Sequence, residues 1–423
     1  MKSDRKNNIL EYVARDLEAA VLPQVAAPQI RFLVGAMSSL LRELASERPE
    51  IDVAAAGGLR AALDAAIAAR PGSEGARDAA YRQSGSGSRD GAGAAEGPLG
   101  PITAAMLEPY LRLSARYGAV SDVEVAQTPG GFSKETFLVS FRANGEPQRL
   151  VLRRDPAFSP LGSVVTEEYP LLRALDGAGL RTPQMLWVEA DPVHFGAPVI
   201  AMSRVEGSAD VSKWTGDPVL AREIVDQAAD LLARLHAPAT LELHRPRAVI
   251  PGADGVTPLE MVTDMRRWWT RMAQHAPLVD TVFDWLEANA PAAFVRKALL
   301  HGDFGFHNLL IDKGRIAGLL DWEFSHVGDV AEDLAYARPF IEQVLPWEEF
   351  EALYRAHGGP QVDPASVHFW GVFGVLRIGL GCYATLGEID RHNPRLDAKA
   401  SYVAVSFAEP FVIDAAKLAL KGP

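Results

Sequence analysis

Apolar residues in the first eighty positions recur at intervals of three and four, the spacing of one helix face. One set runs from Leu10 to Val21, and a second runs from Ile30 to Leu44. An alanine-rich piece follows at 54–69 and ends just before Pro71-Gly72. We therefore expect a helical segment over residues 1–80 that packs as a small bundle or docks on a partner.

Glycine and serine interrupt this pattern after residue 80. Residues 84–101 contain six glycines and three serines. Such a composition does not form a packed element, because glycine loses much conformational entropy on ordering and few side chains are left to bury. The sequence predicts a flexible linker over 81–101.

The period of apolar positions changes to two after the linker, as it does in half-buried strands. The dipeptide Asn144-Gly145 is a typical two-residue hairpin turn. The patterns predict a small antiparallel sheet that carries one helix. The predicted strands lie at 123–126, 136–141, 150–154 and 198–202, and the predicted helices at 102–117 and 166–175.

Helical patterns dominate from residue 218 onward, and one predicted hairpin interrupts them between 309 and 321. The predicted fold class is therefore α+β. Its strands lie mainly in 102–206 and its helices mainly in 207–423.

Composition limits the classes of function. The chain has 48% hydrophobic residues, 23% charged residues and a net charge of -12. An acidic balance argues against general nucleic-acid binding, which needs a surplus of cations. Cys382 is the single cysteine, so no intrachain disulfide can form.

Hydropathy along the chain bears on its location. Charges occupy the start of the chain, where a signal peptide needs an apolar run. A membrane-spanning helix needs an uninterrupted apolar stretch of about 18 residues. The sequence contains no such stretch. We expect a cytoplasmic protein without a membrane span.

The stretch from 299 to 336 holds the most informative polar residues. Asn308 follows Asp303 by five positions, and Asp321 follows Asn308 by thirteen. The predicted hairpin between them returns Asp321 to the side of Asn308 and Asp303. These residue types suit phosphoryl transfer, in which Mg²⁺ is held by one or two protein oxygens together with phosphates. Asp321 and Asn308 are the candidate metal ligands.

Asp303 is the candidate catalytic residue. Its carboxylate can accept the proton of an attacking hydroxyl group, or it can orient that hydroxyl without taking the proton. The sequence leaves these two alternatives open.

The joint pattern of His301, Asp303, Asn308, Asp321 and Asp333 resembles the aminoglycoside phosphotransferase superfamily, whose members are relatives of the eukaryotic protein kinases. The motif Leu-Asp-Trp-Glu at 320–323 is most similar to the branch that includes the phosphotransferase domain fused to some acyl-CoA dehydrogenases. The resemblance implies a two-lobed protein-kinase-like fold, with a β-rich N-lobe at 102–206 and a helical C-lobe at 207–423. It also implies ATP and Mg²⁺ as cofactors.

The resemblance assigns roles residue by residue. It implies that Asp303 is catalytic, that Asn308 and Asp321 bind the metal, and that His301 and Asp333 support the catalytic loop. Either Arg153 or Arg154 supplies the phosphate-binding cation. The implied ATP-binding residues are Gly130, Gly131, Phe132, Ser133, Arg153, Glu168, Met202 and Arg204.

The expected activity is ATP-dependent transfer of a phosphoryl group to the hydroxyl of a small molecule, with a hydroxyacyl-CoA-like metabolite favoured. The alternatives are an aminoglycoside or other amino-alcohol kinase, and a catalytically silent ATP-binding scaffold. A protein kinase is disfavoured, because the short interval between Asp321 and Asp333 leaves no room for an activation segment. The N-terminal helices would serve a homodimer or a protein partner. Candidate substrate contacts are His307, Glu323, Arg266 and Arg267.

Overall fold

The computed structural model describes residues 99–114, 116–128, 133–158, 163–242, 257–272, 276–391 and 398–422. The predicted helical segment at 1–80 and nearly all of the predicted linker lie outside these residues. Gly130, Gly131 and Phe132 also lie outside them.

Five antiparallel strands form one sheet in the order β1-β2-β3-β5-β4. Asn144 and Gly145 join β2 to β3 with φ angles of 54° and 85°. This is the left-handed conformation that a two-residue hairpin turn requires. The predicted antiparallel sheet is present, with β4 as an additional edge strand. The strands are β1 (Val120–Gln127), β2 (Glu135–Ala143), β3 (Glu146–Arg154), β4 (Met185–Glu189) and β5 (Val199–Ser203).

Two helices cover the two faces of this sheet. Helix α1 (Ala104–Leu113) buries Leu107 and Leu111 against the face that carries Phe137. It is shorter than the predicted helix at 102–117, because Ser114 already has an extended backbone. Helix α2 (Val165–Gly177) packs on the opposite face, and its core continues into the helical part of the chain.

Seven further helices make up most of the remaining described chain. They share one apolar core with α2, and the longest two, Pro364–Asp390 and Ala398–Lys421, pack against each other along their length. The helices are α3 (Pro218–Leu235), α4 (Pro258–Arg271), α5 (Pro277–Asn289), α6 (Val330–Ile341), α7 (Trp347–Ala356), α8 (Pro364–Asp390) and α9 (Ala398–Lys421).

Helix α8 is the one described helix that is long and apolar enough to cross a membrane. Of its most apolar stretch, 67% is buried inside the protein. This burial is what a core helix of a folded domain shows.

Two small antiparallel strand pairs hold the loops that bear the candidate site. The predicted hairpin is formed by β7 (Leu309–Asp312) and β8 (Arg315–Leu319). A second pair, β6 (Lys297–Leu300) and β9 (His326–Asp329), was not predicted. The loop 301–308 follows β6, and the loop 320–325 precedes β9. The β6–β9 pair therefore fixes the start of the loop 301–308 and the end of the loop 320–325. The α+β, two-part architecture predicted from the sequence is confirmed.

Candidate active site

The loop 301–308 turns sharply at Gly302. This glycine has a φ of +78°, and a Cβ atom there would lie 2.4 Å from the carbonyl oxygen of Phe324. A larger residue would therefore clash with backbone as well as strain the turn. Gly302 allows the 301–308 loop to pack directly on the 320–325 loop.

Asp303 is held by donors from three directions. Asn308 Nδ2 donates to Asp303 Oδ2 and to the Asp303 carbonyl oxygen, both at 2.9 Å. His307 Nε2 lies 3.6 Å from Oδ1, and the Tyr336 hydroxyl also donates to the carboxylate. Burial opposes ionisation, yet the hydrogen bonds from His307 and Tyr336 hold the pKa of Asp303 below its ordinary value. The carboxylate is therefore ionised at neutral pH.

Asp333 supports this loop from behind. Its Oδ1 accepts from Gly302 N at 2.7 Å, and its Oδ2 accepts from His301 N at 2.8 Å. His236 Nε2 lies 3.1 Å from Oδ2. Burial opposes the charge, but these bonds and the two histidines keep the pKa of Asp333 below its ordinary value. His301 in turn binds Leu320 O through Nε2 at 2.9 Å. Asp333 and His301 therefore hydrogen-bond to the backbone on either side of the candidate site, at 301–302 and at Leu320.

Asp321 follows β8 with a φ of 63°. This is a left-handed backbone, which aspartate tolerates better than most residues. Leu320 N donates to Asn308 O at 2.8 Å, which holds the chain just before β7 against the chain just after β8. The two candidate metal ligands, Asn308 and Asp321, lie in these two places. The Asp321 side chain is 34% exposed. It can therefore meet a ligand in the cleft.

Arg153, and not Arg154, faces this site. Arg153 Nη2 lies 2.7 Å from Asp321 Oδ1, and Nη1 lies 3.3 Å from Glu168 Oε2. Burial disfavours the guanidinium charge, but Glu168 and Asp321 raise the pKa of Arg153 overall. Because successive side chains of a strand point to opposite faces, Arg154 lies on the other face of β3, where it binds Glu135. The sequence left open which of the two arginines lies on the face of β3 that carries the candidate site, and the structure places Arg153 there.

Four carboxylates gather around two cations at this cleft. The carboxylates belong to Asp155, Glu168, Asp321 and Glu323, and the cations belong to Arg153 and to Lys134. Burial and the nearby Asp321 raise the pKa of Glu323 to about 8. Burial also raises the pKa of Glu168, although Arg153 and Lys134 oppose it.

This charge distribution fits a divalent cation that arrives with phosphate groups. Within the described ranges no cluster of three His, Cys, Asp or Glu side chains is arranged to hold a metal by itself. Mg²⁺ bound with a nucleotide needs only one or two protein ligands. The Asp321 carboxylate and the Asn308 amide oxygen meet that need.

Other predicted site residues lie in different surroundings. Glu323 was a candidate substrate contact, but it is buried, and it accepts hydrogen bonds from Ser163 and Ser133. Ser133 therefore lies next to Glu323. His307, also a candidate substrate contact, lies beside Asp303, with its ring 5.2 Å from that of Phe340.

The two arginines of α4 are paired within the helical part of the chain. Arg266 lies 2.8 Å from both Asp284 and Glu287 of α5, and Arg267 lies 2.7 Å from Asp264, one turn earlier on α4. Their described contacts do not include the catalytic loop. The Met202 side chain is buried at the end of the sheet, whereas Arg204 is exposed just after it.

Sequence reasoning missed two polar residues of this region, Lys134 and Tyr336, which are not among the predicted site residues. No sequence spacing connects Tyr336 to Asp303, because α6 meets the loop only in three dimensions.

Comparison with known proteins gives a consistent assignment. Residues 124–370 match the sequence profile of the phosphotransferase enzyme family. Acyl-CoA dehydrogenase family member 10 of Mus musculus is 26% identical over 238 residues, which are 55% of this chain and 22% of that protein. Viomycin phosphotransferase of Streptomyces vinaceus is 30% identical over 191 residues, which are 41% of this chain and 64% of that protein. The chain thus spans about a fifth of the mouse relative's length.

The fold has a counterpart among solved structures. A crystal structure of a Ralstonia eutropha protein, provisionally assigned as an aminoglycoside phosphotransferase, shares 20% identity at a TM-score of 0.57. The likeness covers 75% of this chain and 98% of that one. At this identity the likeness concerns the fold. The resemblance stated from the sequence, including the branch with acyl-CoA dehydrogenases, is confirmed.

Proposed function

This chain belongs to the phosphotransferase enzyme family, and on that premise we propose that it transfers the γ-phosphoryl group of ATP to a hydroxyl group of a small molecule. The observation that carries the proposal is the convergence of Asp303, Asn308 and Asp321 beside the Arg153–Glu168 pair. A phosphoryl donor needs a metal site, a phosphate-binding cation and a group that orients the acceptor. The residues that we propose for these three parts lie close together.

Each residue has a distinct part in the reaction. Asn308 and Asp321 would hold Mg²⁺, which when bound neutralises charge on the phosphate oxygens. Arg153 presents a permanent, fork-shaped cation to phosphate. Asp303 orients the acceptor hydroxyl and receives its proton as the hydroxyl oxygen bonds to the γ-phosphorus. The bond between that phosphorus and the bridging oxygen of ADP breaks, and ADP leaves. His307 and Tyr336 keep Asp303 ionised for that step.

The acceptor we favour is a hydroxylated metabolite such as a hydroxyacyl-CoA. Its support is the similarity to acyl-CoA dehydrogenase family members, which covers only the part of those proteins that this chain matches. A second candidate is an amino alcohol or aminoglycoside, supported by the similarity to viomycin phosphotransferase. A silent nucleotide-binding scaffold is disfavoured, because a site without chemistry has no need of Asp303 together with its donors.

A transfer assay with γ-labelled ATP tests the proposal. The panel contains hydroxyacyl-CoAs, aminoglycosides, amino sugars and choline-like alcohols, each with the wild-type chain and with Asp303→Asn. Label transfer to a hydroxyacyl-CoA that the variant abolishes is the expected result. Transfer confined to amine-bearing acceptors would favour the second candidate. Nucleotide binding without transfer to any acceptor class would favour the scaffold.

A further inference from the structure

A buried lysine to which the proposed reaction assigns no part lies immediately before β2, directly after the implied ATP-binding residues 130–133. Lys134 is 3% exposed. Lysine is almost never fully buried unless it is paired, because removing an ammonium group from water is costly. Its partners therefore indicate what this position provides.

The Lys134 ammonium uses all of its donors. Nζ donates to the Ser163 carbonyl oxygen at 2.6 Å, to Ser163 Oγ at 2.8 Å and to Asp155 Oδ1 at 2.8 Å. Nζ also lies 3.7 Å from Glu168 Oε1, an oxygen that accepts no hydrogen bond within the described chain. Lys134 thus joins the end of β3, the segment before α2, and α2 itself.

Asp155, which pairs with Lys134, also binds the start of helix α2. Its two carboxylate oxygens accept from Val165 N at 3.1 and 3.2 Å, where α2 begins without a cap from its own Val164 side chain. A carboxylate at a helix start satisfies free N–H groups and interacts well with the helix dipole. Glu168 stands in the first turn of the same helix and pairs with Arg153.

The cluster also reaches the loop that follows the candidate metal ligand Asp321. Ser163 Oγ accepts from Lys134 and donates to Glu323 Oε2 at 3.4 Å. The Ser133 hydroxyl, next to Lys134 in the chain, donates to the same carboxylate. Lys134, just before β2, is therefore connected to the start of α2. Through Ser163 it is also connected to the loop that carries Asp321.

Charge gives a second reason for this lysine. Lys134 and Arg153 are the two cations that pair with Asp155, Glu168 and Asp321 in the described part of the chain. Without Lys134, Arg153 would be the one described cation paired with these acidic groups. Its pairing with Glu168 and Asp321 would strengthen, and its guanidinium would be less available to an entering phosphate.

We propose that Lys134 is a positioning residue for the nucleotide, which holds α2 and the Arg153–Glu168 pair in the arrangement that binds phosphate. The inference rests on the proposed function. Lys134 acts through Asp155 and Glu168 rather than by touching the reacting groups.

The test compares Lys134→Met with Arg154→Met in the full chain. Arg154 is a matched control because, like Lys134, it is buried and ion-paired. Its side chain lies on the face of β3 opposite to that of Arg153. Both variants should melt at a lower temperature than the wild type. In calorimetric titration below both melting temperatures, Lys134→Met should bind Mg²⁺-ADP roughly tenfold or more weakly. Arg154→Met should stay within about twofold of the wild type.

A double-mutant cycle of Lys134→Met with Glu168→Gln tests whether Lys134 affects Mg²⁺-ADP binding through Glu168. If Lys134 acts through Glu168, the double variant should bind Mg²⁺-ADP about as weakly as the weaker single variant. Losses that multiply would show independent action and overturn the proposed route. Equal losses in Lys134→Met and Arg154→Met would also overturn the proposal, since general destabilisation would then explain both.

Two further outcomes are decisive. If Lys134→Met does not fold, Ser163→Ala replaces it, because it removes the hydroxyl between Lys134 and Glu323 with little change in volume. That variant should lose about threefold in Mg²⁺-ADP affinity, the size of one modest hydrogen bond, and an unchanged affinity would refute the inference. A wild-type chain that binds no Mg²⁺-ADP would instead contradict the proposed function.

Discussion

Asp303 is the side chain on which the proposed chemistry depends most directly. It lies outside the Asn308–Asp321 pair, and its donors keep it charged at neutral pH. Its loss should therefore affect the reaction step rather than nucleotide binding. This separation of roles distinguishes a catalytic carboxylate from a metal ligand.

Asp303→Asn should lower turnover about 10²- to 10⁴-fold, the usual contribution of a positioned proton acceptor. Mg²⁺-ATP affinity should change little. Steady-state kinetics with the acceptor found in the transfer assay, together with calorimetry, measure the two quantities. Asp312→Asn, in the nearby hairpin, is the control and should behave as wild type. Near-normal turnover in Asp303→Asn would remove Asp303 from the mechanism.

Asp321→Asn should weaken Mg²⁺-ATP binding roughly 10- to 100-fold, because it removes a charged ligand. Asparagine is the suitable replacement, since it tolerates the left-handed backbone at position 321 and limits strain. Asn308→Ala should cost less, because it removes a neutral oxygen. Calorimetric titration gives the order of the two losses, and equal affinity in wild type and Asp321→Asn would contradict the metal assignment.

At the scale of elements, α6 fixes the catalytic loop through a single buried carboxylate. Asp333 in its first turn accepts the backbone N–H groups of His301 and Gly302. Helix α3 adds His236, which also lies 2.7 Å from the Tyr354 hydroxyl of α7. Three helices thus meet at the back of one loop, so its geometry depends on their packing.

Asp333→Asn should destabilise the fold by about 3 kcal/mol, because the amide presents a donor to groups that need an acceptor. The pKa of Asp333 is lowered in the folded protein. Its stabilisation is therefore complete above the unfolded pKa of about 3.9 and is lost as the pH falls toward the folded value. Urea titrations between pH 7 and 3 should show the difference from wild type narrowing below about pH 4.

The control for this variant lies on the same segment. Glu342→Gln, at the exposed end of α6, breaks only a surface pair with Arg338. This substitution should cost less than about 0.5 kcal/mol, as is usual for exposed ion pairs. A difference between Asp333→Asn and wild type that stayed constant through the acid range would show that the Asp333 charge does not stabilise the loop.

The elements that the sequence predicted well are those with long periodic patterns or strong turn residues. The hairpin at Asn144-Gly145 and the β7–β8 hairpin belong to this group. The short β4 and the β6–β9 pair were missed, because such brief strands show no reliable period and pair across long stretches of chain. Lys134 was missed for a related reason, since its partners at 155, 163 and 168 meet it only after the sheet and α2 have packed.

At the scale of the whole molecule, a glycine- and serine-rich stretch separates the N-terminal segment from the sheet and helices that carry the candidate site. Two apolar clusters pack on the two faces of that sheet. The glycine- and serine-rich stretch before them is the kind of sequence in which domain boundaries fall. We therefore expect the kinase-like part to fold by itself.

Removal of residues 1–98 should leave a chain that melts cooperatively and binds Mg²⁺-ATP within about twofold of the full-length affinity. Differential scanning calorimetry, titration calorimetry and mass measurement in solution are the three readouts. A molten or insoluble product would place the N-terminal segment in the core. A change in mass would assign that segment to self-association, and a changed acceptor range would assign it to the substrate cleft.

The apolar character of α8 has a consequence for biosynthesis. Helix α9 covers α8 along its length and is synthesised after it. Until α9 emerges from the ribosome, a long hydrophobic surface is open to chaperones, to other nascent chains and to the machinery that recognises membrane segments. A stop codon before position 398 would make that exposure permanent. Such truncations should therefore accumulate as aggregates or be degraded, even though every candidate site residue is already present in them.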